Sequence, residues 1–389
     1  MQLDREQHPK LGICRLGNLG NTCYMNAALQ IIFNSRTLIN LLIDRDKLTI
    51  KDKKETPIIN YLSEMINEIY SKGNMEISPL NFKQKIGQVL KEYNNYYQHD
   101  SEEFLLKIID KMSSESLVIL NEKFPDKLVE INDIYTKLEK IYNDSKSEYD
   151  KNIVRQEFND YLLVNFELYK EYKTFIHLNN IFKKGYSKIY RDVFTTLLNK
   201  NSCRECKKIT IQIEHVSILQ LPLPDGEEYL EGHPGKYYDM KYSLDECLEN
   251  HFKEELLYDY QCPQCKKTNT TTRILRIVKS SPLLLIQIIR SVNIRGRIMH
   301  KRNNTLIPSN TLNMGIYHDR TEENLDSNYK LTGVINHIGG HNSGHYYSIC
   351  RSPINQKWYN LNDSFVSYHG NEFQNMHSNE ISVLMYEFM

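Results

Sequence analysis

The chain has 389 residues, with Lys plus Arg at 49 and Asp plus Glu at 49, so its formal net charge is zero. That balance gives no electrostatic case for nucleic acid or an anionic membrane surface as a main partner. Met1 to Lys10 is polar, with no signal core, and the longest apolar run, Pro282 to Ile289, is too short to span a bilayer. The expectation is a soluble, monomeric intracellular protein of the cytoplasm or nucleus. The length suits one elaborate domain or two smaller ones.

Residues 1–11 read as a loose lead-in. Gly17-Asn18-Leu19-Gly20-Asn21-Thr22-Cys23-Tyr24-Met25-Asn26 then delivers one Cys from a Gly- and Asn-rich turn. After it Met25, Leu29, Ile32 and Phe33 fall at helical spacing. Asn21 or Thr22 would cap the helix and place Cys23 in its first turn. A helix N-terminus favours thiolate over thiol, and the thiolate is the nucleophile. A buried, inert Cys is the plainer alternative.

Asp44 to Glu55 reads as a solvated loop. Helical faces follow at Ile58 to Ile69 and at Phe82 to Leu90. Gln98-His99-Asp100-Ser101-Glu102-Glu103-Phe104 opens another helix, capped by Asp100 or Ser101. Over 112–182, Leu128 to Tyr142 and Val154 to Tyr172 predict two amphipathic helices joined at Asn143-Asp144-Ser145, a helical insertion in the domain. From Val193 the period changes to that of strands: Thr210 to Glu214, Val216 to Leu221, Ile274 to Ile289, Lys330 to Val334, Tyr346 to Arg351 and Ile381 to Phe388. Ser243 to Leu257 reads as helix. Early helices followed by late strands indicate an α+β architecture.

Of eight Cys, four stand in two C-x-x-C pairs, Cys203/Cys206 and Cys262/Cys265. Two such knuckles complete a tetrahedral four-thiolate site, and a closed site of that kind suits a structural zinc ion. A redox pair or chance is the alternative. Near the C-terminus, Gly339-Gly340-His341-Asn342-Ser343-Gly344-His345-Tyr346-Tyr347 runs into a strand, and Trp358 to Asn362-Asp363 follows. A Cys nucleophile needs a base, and the base needs an acceptor on its other nitrogen. His345 supplies the first, and Asn362 or Asp363 the second.

These stretches resemble the ubiquitin-specific protease family of deubiquitinases. The Gly17–Asn26 stretch is similar to its Cys box, and Gly344-His345-Tyr346 with Trp358 to Asp363 to its His box. Gln98 to Phe104 resembles the motif between them, and Ser243 to Cys265 the zinc-finger strand pair. The resemblance runs from about Ile13 to Phe388.

It implies a papain-like right hand: a thumb over about 12–190 with the insertion, zinc-bearing β-fingers over about 191–275, and a palm over about 276–389. It implies Cys23 as nucleophile, His345 as base, Asn362 as third triad member with Asp363 sharing or substituting for that role, and Asn18 as oxyanion donor. Asp100, Gly339, Gly340, His341, Gly344 and Tyr346 would meet the C-terminal tail of ubiquitin. The implied partners are ubiquitin and ubiquitinated proteins, and the implied cofactor is one structural zinc on Cys203, Cys206, Cys262 and Cys265. Rival expectations are a protease for a ubiquitin-like modifier and a catalytically weak ubiquitin-binding protein. Where the family continues its long apolar strand with Arg-Phe, this chain has Arg290-Ser291.

Overall fold

The computed structural model describes residues 12–43, 56–73, 75–117, 124–184, 187–224, 240–294, 297–319, 327–340, 343–373 and 379–389. The expected lead-in and the Asp44 to Glu55 loop lie outside them.

The first layer is helical: β1 (Arg15–Leu16), α1 (Cys23–Asn34), α2 (Arg36–Ile43), α3 (Pro57–Tyr70), β2 (Glu76–Ile77), α4 (Leu80–Val89) and α5 (Ser101–Glu115). Every residue of α1 is buried, so it is a core helix rather than an amphipathic one. Its polar stripe is used internally. Asn26 Nδ2 reaches the Leu16 and Gly17 carbonyls at 3.4 and 3.3 Å, and Gln30 Nε2 donates to Cys14 O at 2.8 Å. These bonds fix the strand before the Cys turn against the helix after it.

The insertion carries α6 (Val129–Asp144), α7 (Glu148–Val164) and α8 (Phe166–Lys184), one helix more than the periodicity predicts. Asn165 makes the extra break: its amide donates to Tyr161 O at 3.1 Å and closes α7. Ser116 and Ser187, both buried, share a hydrogen bond of 2.6 Å at the two ends of the segment. The insertion therefore leaves and re-enters the domain at one point, and α9 (Lys188–Val193) follows.

Its apolar face does not pack on the first layer. Leu128, Ile131, Leu162, Tyr169 and Tyr172 share a core with Leu198, Ile209, Ile211 and Ile213. Those partners belong to β3 (Thr195–Cys203) and β4 (Ile209–Val216), strands of a four-stranded sheet. Burying side chains of this size stabilises by roughly 1.5–3 kcal/mol each. Fully buried Asn159 of α7 accepts from Ile209 N–H at 3.1 Å and donates to Lys207 O at 3.4 Å, so the insertion also holds the edge strand's backbone.

After β5 (Ile218–Pro222) and β6 (Lys241–Ser243), the predicted helix from Ser243 ends early. α10 (Leu244–Phe252) carries a Ser243–Glu246 capping box, and β7 (Glu255–Leu256) begins where helix was expected. The predicted run Ile274 to Ile289 is two strands, β8 (Thr271–Lys279) and β9 (Leu283–Ile289), broken at Ser280-Ser281-Pro282. The break moves the chain between sheets: β8 joins β3 and β7, and β9 joins β5.

β10 (Ser291–Ile294), β11 (Arg297–Lys301), β12 (Thr305–Ile307) and β13 (Thr311–Asn313) lead to β14 (Asn328–Gly339), β15 (Gly344–Arg351), β16 (Trp358–Asn362), β17 (Phe365–Gly370) and β18 (Ile381–Phe388). The eight-stranded sheet runs β17-β16-β15-β14-β18-β9-β5, with β13 also on β14. One face packs on α1 through Ile335, Tyr346, Cys350, Leu361 and Met385, and the other packs on α10 through Val334, Ile349 and Leu384. Buried Arg290 donates to the carbonyls of Ile381, Arg302 and Asn304, at 2.7, 3.1 and 2.8 Å.

Candidate active site

Cys23 is the first residue of α1 and is nearly buried, at 5 % exposure. Thr22 precedes it as N-cap but makes no capping side-chain bond, because its hydroxyl accepts from Leu19 N–H and donates to Asn18 Oδ1. Burial pushes the Cys23 thiol above its ordinary range. The N–H groups of Tyr346, Tyr24 and Cys23 itself oppose this, and the Asp363 carboxylate reinforces it. Burial thus works against the preference for thiolate that a helix N-terminus gives.

His345 Nε2 lies 2.6 Å from Asn362 Oδ1. An amide oxygen only accepts, so Nε2 carries the proton and Nδ1 of a neutral ring is the free base. Among the described residues Cys23 and His345 share no hydrogen bond.

Asp363, the rival acceptor for His345, turns elsewhere. Its backbone takes a left-handed φ of 50° in the turn between β16 and β17. Its carboxylate accepts from Asn18 Nδ2 at 2.8 Å and from Asn26 Nδ2 at 2.7 Å, and its carbonyl accepts from Leu16 N–H at 3.0 Å. Asp363 thus bonds to the Cys turn, and among the described residues it makes no hydrogen bond to His345. Asn18 Oδ1 in turn accepts from Gly20 N–H at 2.9 Å and Thr22 N–H at 3.2 Å, so the Asn18 side chain is locked beside Cys23.

Two cavities lead to this point. One of about 370 Å³ is lined by Asp100, Glu102, Glu103, Gln287, His337 and Tyr346, and one of about 310 Å³ by Cys23, Gln98, Asp100, His337, Gly344 and Tyr346. Asp100, Glu103, His337 and Tyr346 line both, so the two cavities adjoin along an acidic wall, and Cys23 lines the second. Burial raises the Glu102 carboxyl despite bonds from Ser382 Oγ and Gln287 Nε2.

Tyr346 OH donates to Asp100 Oδ1 at 2.9 Å, and its ring stacks on His337 at 4.3 Å. Gly339 and Gly344 pair at the neck of the β14–β15 hairpin. A Cβ on Gly344 would meet His337 Nε2 at 2.2 Å, and one on Gly339, with φ +125°, would meet Ser343 O at 2.5 Å. Gly340 also lines the larger cavity. His341 lies outside the described residues.

Gln98, quoted in its motif without a role, clamps that neck. Its amide donates to Gly344 O at 3.4 Å and accepts from Gly344 N–H at 3.3 Å. Ser101 Oγ donates to Tyr24 O at 2.8 Å, and Tyr24, Tyr93, His99 and Phe104 form an aromatic cluster under α1. Asn26 ends the Cys-box stretch without a role of its own there, and His337, two residues before the end of β14, lies just ahead of the Gly339-Gly340 motif and outside it.

The knuckle sulfurs of Cys203, Cys206, Cys262 and Cys265 all lie within 4.8 Å of one another, with closest pairs at 3.7 Å. Tetrahedral zinc–sulfur bonds of ~2.3 Å set ligand sulfurs ~3.8 Å apart, so these residues fit that ion. The two knuckles repeat one geometry. In each the first Cys N–H donates at 2.9 Å to the second Lys after the knuckle, and the first Lys is left-handed, φ 59° at Lys207 and 61° at Lys266.

The arrangement holds a helix-borne Cys, a His bonded to an Asn and an Asn amide in the Cys turn, the residue types that thiol acyl transfer uses. The family model "Ubiquitin carboxyl-terminal hydrolase" matches residues 14–386, and the chain belongs to that family. It is 23 % identical over 360 residues to ubiquitin carboxyl-terminal hydrolase Usp2 of Drosophila melanogaster, covering 92 % of this chain and 33 % of that protein. It is 25 % identical over 367 residues to human ubiquitin carboxyl-terminal hydrolase 2, at 92 % and 52 %. A probable ubiquitin carboxyl-terminal hydrolase of Acanthamoeba polyphaga mimivirus is 24 % identical over 424 residues, at 91 % and 86 %. The chain thus spans from a third to about half of the length of the first curated relatives it matches.

Among solved structures it resembles the SAGA DUB module of Ubp8, Sgf11, Sus1 and Sgf73 bound to monoubiquitin. The TM-score is 0.68 at 18 % identity, covering 99 % of this chain and 71 % of the other. The same module bound to ubiquitin aldehyde gives a TM-score of 0.66 at 20 % identity, with the same coverage. The fold is the papain-like right hand of that family.

Proposed function

We propose that this chain is a thiol-dependent deubiquitinase that hydrolyses the isopeptide or peptide bond after the C-terminal Gly-Gly of ubiquitin. The observation that carries the reading is the His345–Asn362 bond of 2.6 Å, together with Cys23 in the lining of a cavity whose acidic wall, Asp100 and Glu103, it shares with a second cavity. On this reading the thumb spans about 12–190, the fingers about 191–275 and the palm about 276–389. The tail of ubiquitin enters between thumb and palm past Asp100, Gly339, Gly340, Gly344 and Tyr346, with His341 on the same loop.

Cys23 attacks the terminal carbonyl and His345 Nδ1 takes its proton. The Asn18 amide, steadied by Asp363, and the N–H groups at the start of α1 stabilise the oxyanion. His345 then protonates the leaving amine, and water admitted through the same base releases ubiquitin from the thioester. Asn362 holds the ring in the tautomer that these transfers need. Cys23 and His345 close to hydrogen-bond distance only when a substrate orders the cleft.

The four-Cys site of the fingers would hold one zinc ion, which ties the fingertips and takes no part in the chemistry. The partners are ubiquitin and ubiquitinated proteins. The test is release of the fluorophore from ubiquitin aminomethylcoumarin, with the same probe built on ubiquitin-like modifiers beside it. Turnover of the ubiquitin probe that is lost in Cys23→Ser supports the reading. Turnover of another modifier in its place would transfer the activity to that modifier.

A further inference from the structure

Phe365 takes no part in the machinery described above. It begins β17, the outer strand of the eight-stranded sheet, and is 80 % exposed. It pairs with Asn362 across the Asp363-Ser364 turn. Residues paired directly in an antiparallel ladder send their side chains to one face, with Cβ atoms ~5 Å apart. The ring therefore stands next to the amide that holds His345. Its mount is rigid, because Asp363 in the same turn is tied to Asn18, Asn26 and Leu16.

The direction of the cleft decides what this ring meets. Gln287 lines only the first cavity and Cys23 only the second, while Asp100, Glu103, His337 and Tyr346 line both. A chain passing from the first into the second brings its last carbonyl to the thiol. Asn18 and Asp363, bonded to each other, line neither cavity, and Phe365 follows two residues after Asp363, so this side is left for whatever is bonded to that carbonyl. On the other flank of the Cys turn is Tyr96, 58 % exposed, whose carbonyl accepts from Asn21 Nδ2 at 2.9 Å.

We infer that Phe365 is a specificity-determining contact for the leaving group, the polypeptide whose lysine carries the scissile isopeptide bond. This rests on the reading of the chain as a ubiquitin hydrolase. A lysine side chain has an apolar methylene stem behind its amine, and an aromatic face is a suitable surface for such a stem. Packing the stem against Phe365 restricts the amine to the neighbourhood of His345, which must protonate it. No other large apolar side chain on β16 or β17 is as exposed: Tyr368, at 56 %, pairs with Tyr359, whose ring packs against the α1 core.

The test compares two amides of ubiquitin, one joined to the lysine of a ten-residue peptide and one a C-terminal N-methylamide that has no stem to contact the ring. Phe365→Ala is expected to lower kcat/KM for the peptide substrate roughly tenfold while the methylamide stays within about twofold, with Phe365→Leu in between. Because Phe365 is exposed, the variants should fold as the wild type does. An equal loss on both substrates, or no loss on either, overturns the inference. A wild-type chain that cleaves neither amide and resists a ubiquitin C-terminal electrophile overturns the ubiquitin-hydrolase reading, and this inference with it.

Discussion

Asp363 accepts the side-chain amide of Asn18 at 2.8 Å through one carboxylate oxygen and that of Asn26 at 2.7 Å through the other. The residue next to Asn362 thus bonds to the Cys turn while Asn362 bonds to His345.

Asp363→Ala should lower kcat without freeing the imidazole. Losing a well-placed oxyanion donor costs roughly 10²–10³ in kcat, and an unsteadied Asn18 should cost a part of that. The same variant removes a negative charge that raises the Cys23 thiol, so its alkylation by iodoacetamide at pH 8 should quicken. Asn362→Ala should lower kcat without that quickening. Equal alkylation rates in the two variants would contradict this division of roles.

In the unliganded chain, burial holds the Cys23 thiol above its ordinary value. The thiolate fraction therefore keeps growing as pH rises through the usual thiol range. Iodoacetamide labelling of Cys23 should climb through pH 9 with no plateau near neutrality. A plateau at neutral pH would mean that His345 already shares the proton before substrate arrives.

Asn159 lies at the seam between the insertion and the fingers. Asn159→Ala leaves the Ile209 N–H and the Lys207 carbonyl without their partner. A buried unsatisfied group costs about 1–3 kcal/mol, which a denaturant midpoint resolves. Unchanged stability would show that water replaces the amide there.

The four knuckle sulfurs should bind one zinc per chain, measurable by elemental analysis of the purified protein. Cys206→Ser should lower the melting temperature and ubiquitin affinity, because metal binding at such a site contributes directly to folding. Cys23 alkylation should be unchanged, since the knuckles are at the far end of β3 and β8 from the cleft. A metal-free protein of full stability would contradict this.

How much of this was legible beforehand depended on whether a signal was local. Cys23 reads as a helix start because Met25, Leu29, Ile32 and Phe33 fall at helical spacing after it, and Ile381–Phe388 reads as a strand because it is a short, β-prone apolar run. The two C-x-x-C pairs declare their shared site by spacing alone. The burial of α1 on all sides was not legible, because its Asn26, Gln30 and Asn34 look like a solvent stripe until their partners are known. The break at Ser280-Ser281-Pro282 was hidden inside an apolar run whose two halves join different sheets. The insertion's amphipathic stripe was visible, but the β4 strand that it covers was not, since nothing in a stripe names its partner. Spacing left Asn362 and Asp363 both open as acceptors, and the resemblance put Asn362 first; the left-handed turn at Asp363 that sends its carboxylate to Asn18 and Asn26 was not legible.

The central claim is that Cys23 is the nucleophile aimed at the C-terminal carbonyl of ubiquitin. Incubation with ubiquitin propargylamide, followed by intact mass and tryptic mapping, tests it most directly. The account predicts one covalent ubiquitin per chain, attached at Cys23, with no adduct in Cys23→Ser or in a denatured control. An adduct on another cysteine, or an unmodified Cys23 in a folded chain that binds ubiquitin, would contradict it.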